Sequence, residues 1–303
     1  MTGSDDDTEG FGDDGDAEET GDTEGFGDDE NWVGPPVHPI PALRGAFTFL
    51  TRVPMPGAAP ADWHAFRRSP WTFPVVGAGI GSVAGLAFLA PSPWTAAAGY
   101  LVALHLLTGV THADGLADLG DAVAAHDPDR RLAVLKDADL GVGGTLALGV
   151  TLLATTLGAL ALATGFVGGT GSGVGDAGGS VLVGTVVFRV VLAAEVGAKA
   201  GMALLACLGT PAHEGIGSAV VSEVGPRSLV PVAVASVLVL LVPPPGAFLA
   251  LAAALLAGPV VSLVLMARVR PWLGGVSGDV LGAANELGRA VALHAGVVAW
   301  TIA

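Results

Sequence analysis

Four side chains able to do chemistry crowd into residues 112–121 of the stretch HLLTGVTHADGLADLGD: His112, Asp114, Asp118 and Asp121. Read as a helix, with about 100° between successive residues, Asp118 lies about 40° from Asp114 and Asp121 about 20° on the other side. The three carboxylates then share one narrow face, which Gly115 leaves open beside them. Carboxylates so placed repel one another unless a cation sits between them. A hard divalent cation with oxygen ligands fits, and Mg²⁺ commonly brings a phosphorylated substrate with it. The competing explanation is a solvated acidic helix end, since acids near a helix N-terminus are favoured by the macrodipole. The Leu, Val and Ala positions around the acids favour a packed helix instead. His112 falls on the far side of that helix, where it bonds substrate or caps the preceding element.

Two more segments could handle a phosphate. In LKDADLGVG (residues 135–143), Lys136 can neutralise one, and Gly141 and Gly143 let backbone approach it closely; Asp137 is counted with Lys136 as substrate-binding. In GGVSGDVLGAANEL (274–287), a Gly-rich loop runs into a helix that Asp279 can cap. Free N–H groups at such a start attract anions, which makes Gly278 and Asp279 candidate substrate contacts, Asp279 alternatively a further metal ligand. Arg189 lies inside an apolar run, VVFRVVLAA. Burying it in hydrocarbon costs at least ~2.5 kcal/mol, so it should pair with a carboxylate or phosphate in the interior. His105 and His294, also in apolar runs, read as interior hydrogen-bonding groups.

The elements that must position these groups are hydrophobic. Of 303 residues, 51% are hydrophobic and 14% charged. Seven candidate spans follow one another: Trp71–Ala90, Trp94–Val110, Gly141–Thr164, Ser180–Ala198, Ser228–Val242, Ala247–Ala267 and Ala290–Ala303. No barrel-type alternation is present, so the spans are helical, with Gly and Ala as close-packing positions. The expected fold class is an all-α polytopic membrane bundle. Bases stand before the first span and in alternate loops, Lys199 and Arg289 among them. The positive-inside rule then gives a cytoplasmic N-terminus and puts the aspartates, Lys136 and residues 274–286 on that same side. Multi-pass residence in the cell membrane follows.

The net charge of −15 is misleading as a global figure. Residues 1–30 hold fourteen acids and no Lys or Arg, and the remainder holds fourteen acids against thirteen bases. The segment TEGFGDD occurs twice in that stretch. Residues 1–34 are expected to form a disordered acidic tail and 35–303 a single transmembrane domain. No basic patch points to nucleic acid. The lone Cys207 excludes an internal disulfide and a Cys-cluster zinc site.

Taken together, these motifs resemble the cobalamin synthase family, the adenosylcobinamide-GDP ribazoletransferases. FTFLTRVPMP is similar to the family's opening and FPVVGAGIG to its first span. His112–Asp118 looks like the family hallmark, KDADLGVGG follows it, and GGVSGDVLGAANEL resembles the C-terminal signature. The likeness runs from Phe47 to Leu287. It departs at PAHEGIG, where His213 stands in place of an expected arginine, and in the acidic tail. The resemblance implies a Mg²⁺-dependent membrane enzyme that joins α-ribazole, or its 5′-phosphate, to adenosylcobinamide-GDP and releases GMP. On this reading a ribose hydroxyl attacks phosphorus, and Asp114 and Asp118 hold the metal. Asp121 takes the proton, with His112 also catalytic, while Lys136 and Arg189 steady the diphosphate. The bilayer is a partner, and a homo-oligomer is compatible with the sequence. The alternatives are a CDP-alcohol type phosphotransferase, whose full motif is missing here, and a cation transporter. A transporter would place its acids near the bilayer midplane rather than at one rim.

Overall fold

The computed structural model describes residues 38–127, 130–135, 139–168, 177–213 and 215–303. The acidic tail, and with it the expected boundary at residue 34, lies outside the described residues. Every described element is helical, apart from a single parallel bridge between Pro211 and Val276. In chain order the helices are α1 (Pro39–Leu50), α2 (Pro60–Arg67), α3 (Thr72–Gly85), α4 (Pro93–Thr108), α5 (Thr111–Ala124) and α6 (Arg131–Val134). They continue with α7 (Val142–Gly168), α8 (Ala177–Leu208), α9 (Ile216–Val221), α10 (Leu229–Val237), α11 (Phe248–Leu273) and α12 (Gly278–Ile302).

Helix α8 is the axis. An apolar 18-residue stretch within Gly184–Leu208 is 89% buried, against 28% for one within Val142–Thr164 of α7, so α8 is wrapped by protein while most of α7 faces outward. Around α8 stand α3, α11 and α12; α12 also contacts α5 and α7. Small residues allow the close approach: a Cβ on Gly288 of α12 would lie 3.2 Å from the Gly258 Cα of α11. Such small-residue contacts gain packing between helices that share an apolar solvent.

Among the described residues, four helices are long and apolar enough to cross a membrane: Thr72–Leu89, Val142–Thr164, Gly184–Leu208 and Phe248–Leu273. The pair α4 and α5 passes the same test jointly as a fifth but bends by 95° at its break. The expected count of seven is therefore met only in part. The fifth expected span is the nine-residue α10 plus one tight turn, Leu238–Leu240. The seventh is the C-terminal part of α12, one unbroken helix of 25 residues that also includes the motif around Asp279. Asn285, Glu286 and Arg289 in its middle lower its apolar character.

The bend between α4 and α5 has a local cause. Gly109 adopts φ 68° and ψ −155°, a region that side chains essentially exclude. The Arg52 side chain lies over its open face, and the Arg52 N–H donates to the Leu107 carbonyl at 2.6 Å. The segment after α1 thus clamps the corner from which the aspartate helix departs.

Candidate active site

Helix α5 forms as its pattern demands. Its buried face is His112, Gly115, Leu116, Ala117, Leu119 and Ala122. On the other side Asp114 is exposed, and Asp118 and Asp121 are half-buried. The first turn of α12 meets this helix backbone to backbone. A Cβ on Gly115 would stand 2.7 Å from the Asp279 Cα, and one on Gly282 would stand 2.8 Å from the His112 carbonyl oxygen. Asp118 is within electrostatic range of Asp114, Asp279 and Asp121. Two elements far apart in sequence thus bring Asp114, Asp118 and Asp279 together.

Ser277, not Asp279, caps α12: its hydroxyl accepts the Val280 N–H at 3.3 Å and lies 3.2 Å from Asp279 Oδ2, to which it donates. Burial raises the Asp279 carboxyl above the usual carboxylate range. The Ser277 hydroxyl and the nearby His213 imidazole pull it back, and the Asp114 carboxylate adds to the rise. His213 reaches this point because residues 210–212 are tied to the loop before α12. Val276 donates to the Thr210 carbonyl at 2.8 Å and Ala212 to that of Val276 at 3.1 Å. The histidine found where an arginine was expected therefore stands at the site.

Asp121 has a different task from its neighbours. It accepts the Gly141 N–H at 2.8 Å and the Gly144 N–H at 2.9 Å, one on each oxygen, and so satisfies free amides at the start of α7. Arg189 is not brought to the aspartates. It donates to the Val239 and Leu241 carbonyls at 2.6 and 2.7 Å, closing the end of the turn that follows α10. Its partners among the described residues are thus carbonyls at a helix end rather than an interior carboxylate, a pairing basic side chains also make. Lys136 and Asp137 lie outside the described residues.

Beneath α5 lies a polar network that the sequence reading missed. Arg289 donates from Nε to Glu195 Oε1 at 2.6 Å, from Nη2 to Glu195 Oε2 at 3.2 Å, and from Nη1 to Glu286 Oε2 at 2.6 Å. The Tyr100 hydroxyl donates to Glu195 at 2.8 Å, and Asn285 Nδ2 donates to Glu286 at 2.9 Å. Lys199 donates to Asn285 Oδ1 at 2.7 Å, and its Nζ is 3.4 Å from His112 Nε2. All seven residues are buried. Lys199 and Arg289 are thus interior groups, not the loop bases that the topology argument counted. A signal was available: Glu195 and Lys199 are four apart on one face of an apolar helix, where ionised groups persist only when paired and useful.

The donor set suits a hard cation. Mg²⁺ typically takes one or two carboxylates, with waters and substrate phosphates completing the shell. Among the described residues, no three His, Cys, Asp or Glu side chains converge as a ready-made metal cage. Asp114 and Asp118, with Asp279 beside them, match the sparser arrangement.

Helices long and apolar enough to cross a membrane, wrapped around a buried polar network, describe an integral-membrane protein. The chain belongs to the cobalamin-5-phosphate synthase family, whose model matches residues 42–297. It is 46% identical to the adenosylcobinamide-GDP ribazoletransferase of Halorubrum lacusprofundi over 86% of this chain and 98% of that protein. The enzyme of the same name from Haloquadratum walsbyi is 43% identical over 87% of this chain and 99% of its own length. The Escherichia coli one is 32% identical over 82% and 96%. No solved structure matches the chain.

Proposed function

We propose that the aspartate face of α5 and the first turn of α12 form the reaction centre of this enzyme, an adenosylcobinamide-GDP ribazoletransferase of cobalamin biosynthesis. The reaction would join α-ribazole, or its 5′-phosphate, to the corrinoid phosphate and release GMP. The observation behind this assignment is the backbone contact between Gly115 and Asp279, which gathers Asp114, Asp118 and Asp279 at one place. Three like charges there create a demand for positive charge that a diphosphate substrate cannot meet by itself.

Asp114 and Asp118 would hold Mg²⁺, with Asp279 available as a further oxygen donor. When bound, the ion would supply neutralisation of charge on the diphosphate as the bridging bond breaks. The protein's own part is orientation. Asp121 fixes the start of α7 against α5, and we assign it to holding that junction, since both its oxygens already accept amides. Asp279, where it does not serve as that further donor, is the carboxylate proposed to accept the proton of the attacking ribose hydroxyl. His213 is a further candidate substrate contact at the rim. Lys136 remains proposed for the diphosphate on the sequence alone, and Asp137 with it.

The centre is proposed to open toward the cytoplasm. With Lys199 and Arg289 set aside, Arg130 and Arg131 still follow α5, and Arg268 and Arg270 still end α11 just before the loop to α12. Positive charge near helix ends marks the cytoplasmic side. The remaining apolar segments, α4, α10 and the C-terminal part of α12, are proposed to lie in the bilayer with the four longer spans. The deciding experiment is GMP release from adenosylcobinamide-GDP with α-ribazole, by wild type and Asp118→Asn, with and without Mg²⁺. Loss of turnover in the variant and in the metal-free reaction is expected. Full activity of the variant would refute the assignment.

A further inference from the structure

Lys199 is the least economical group in the fold. It is fully buried in α8, with no carboxylate in ion-pair contact among the described residues. Its partners are Asn285 Oδ1 at 2.7 Å and His112 Nε2 at 3.4 Å. Taking an ammonium out of water costs several kcal/mol. Part of the offset is collective. Glu195 and Glu286 together hold one guanidinium, that of Arg289, and Lys199 joins this network through Asn285, which donates to Glu286.

The location of its two partners is informative. His112 lies in the first turn of α5, two residues before Asp114. Asn285 is on α12, about 1.7 turns beyond Asp279. One ammonium on a third helix therefore grips both acid-bearing helices on their inner sides, while their backbones touch at Gly115 and Gly282. The Lys199 amine donates to Asn285 and stands within reach of His112 Nε2. His112 Nδ1 is buried and has no hydrogen-bond partner in the described structure.

We propose that Lys199 is a positioning residue for the transfer reaction: by holding His112 and Asn285 at once it sets where the carboxylate face of α5 stands relative to Asp279. It touches no reacting atom. The inference rests on the assignment of Asp114, Asp118 and Asp279 as the reaction centre.

The test uses the full chain in detergent, as Lys199→Met, which keeps length and loses both bonds, and Lys199→Gln, which keeps a neutral donor. Folding is followed by circular dichroism and gel filtration, turnover by GMP release, and the state of His112 by nitrogen-15 spectra of histidine-labelled protein assigned with a His112→Asn control. Outer partners of a reactive site typically affect activity by about 10–100-fold. Lys199→Met should therefore lose kcat by about that factor while KM for adenosylcobinamide-GDP stays near wild type, and its His112 signal should shift from the wild-type position. Lys199→Gln should recover part of kcat and keep that position. Wild-type kcat in the Met variant, an unchanged His112 signal, or a Gln variant no better than Met would overturn the inference. If the Met variant does not fold, the Gln variant decides: a retained His112 signal with measurable kcat supports it, and wild-type kcat with a lost signal overturns it. Asp118→Asn separates the two ideas. Full activity there removes the reaction centre, whereas the His112 spectra report on Lys199 regardless.

Discussion

Substituting Gly115 by alanine puts the contact between α5 and α12 to a quantitative test. The new Cβ would lie 2.7 Å from the Asp279 Cα, 3.0 Å from its carbonyl oxygen and 3.3 Å from its carbonyl carbon. Carbon atoms rest at about 3.5–4.0 Å. All three obstacles are backbone, so no rotamer change relieves them, and the helices must part by about 1 Å. Overpacking of this kind costs about 1–3 kcal/mol of stability. Displacing reacting groups by about 1 Å can cost on the order of 10²-fold in rate. Gly115→Ala should therefore lower kcat for GMP release by about two orders of magnitude, with a folded protein that melts several degrees lower. Gly149, with open space around it, is the matched control; Gly149→Ala should keep wild-type turnover. If Gly115→Ala turns over like wild type while folded, the spacing of α5 and α12 does not govern catalysis, and the reasoning that joins Asp279 to the α5 carboxylates fails.

Removing the Asp121 side chain should act through structure. Asp121→Ala strips two amide acceptors from the start of α7, a loss comparable to a helix cap at about 0.5–2 kcal/mol, readable as a fall in melting temperature. Arg189 lies ten residues before Lys199 on α8, about 15 Å along the axis. Arg189→Gln should lower thermal stability yet leave KM for adenosylcobinamide-GDP unchanged, and a raised KM would restore the diphosphate role. Asp62 accepts two bonds from Arg44, at 2.6 and 2.7 Å, and that guanidinium holds its carboxyl below the usual carboxylate range. A depressed carboxyl stabilises the fold above its unfolded pKa and loses that contribution as pH falls through the folded value. Unfolding curves of Asp62→Asn should accordingly be flatter than wild type on the acid side, and parallel curves would contradict the pairing. Removal of divalent metal by a chelator should abolish GMP release, and added Mg²⁺ should restore it.

The acid face of α5 was legible because a helical period of 3.6 residues needs only local sequence. So was the separation of His112 from the acids, on the opposite side of that helix, though its burial against Lys199 was not. Membership of one long apolar helix was equally plain for α7, α8 and α11. What escaped was set by distant partners. Asp121 spends its oxygens on amides 20 and 23 residues away, and Arg189 on carbonyls 50 and 52 residues away. Neither pairing leaves a trace in spacing. Lys199 was misread for another reason: the expected span stopped at Ala198, so one misplaced helix end turned a buried ammonium into a loop charge. Arg289 was misread in the same way, because α12 continues without a break through the motif and into the last apolar run. His213 became meaningful once the bridge between Pro211 and Val276 brought its loop to α12.

On the proposed reaction centre, the right-angle corner at Gly109 bears on how two unlike reactants would meet. A straight continuation of α4 would carry its carboxylates along the direction of the spans, toward depths that a water-borne ribonucleoside reaches only through a channel. Turned by 95°, α5 instead runs crosswise to α4. On the proposed assignment its acid row would follow the rim, with the aqueous phase along one edge and lipid along its flank. A bulky corrinoid resting sideways in the headgroup layer and a small polar acceptor arriving from solution could then approach that row from different directions, without entering the bundle.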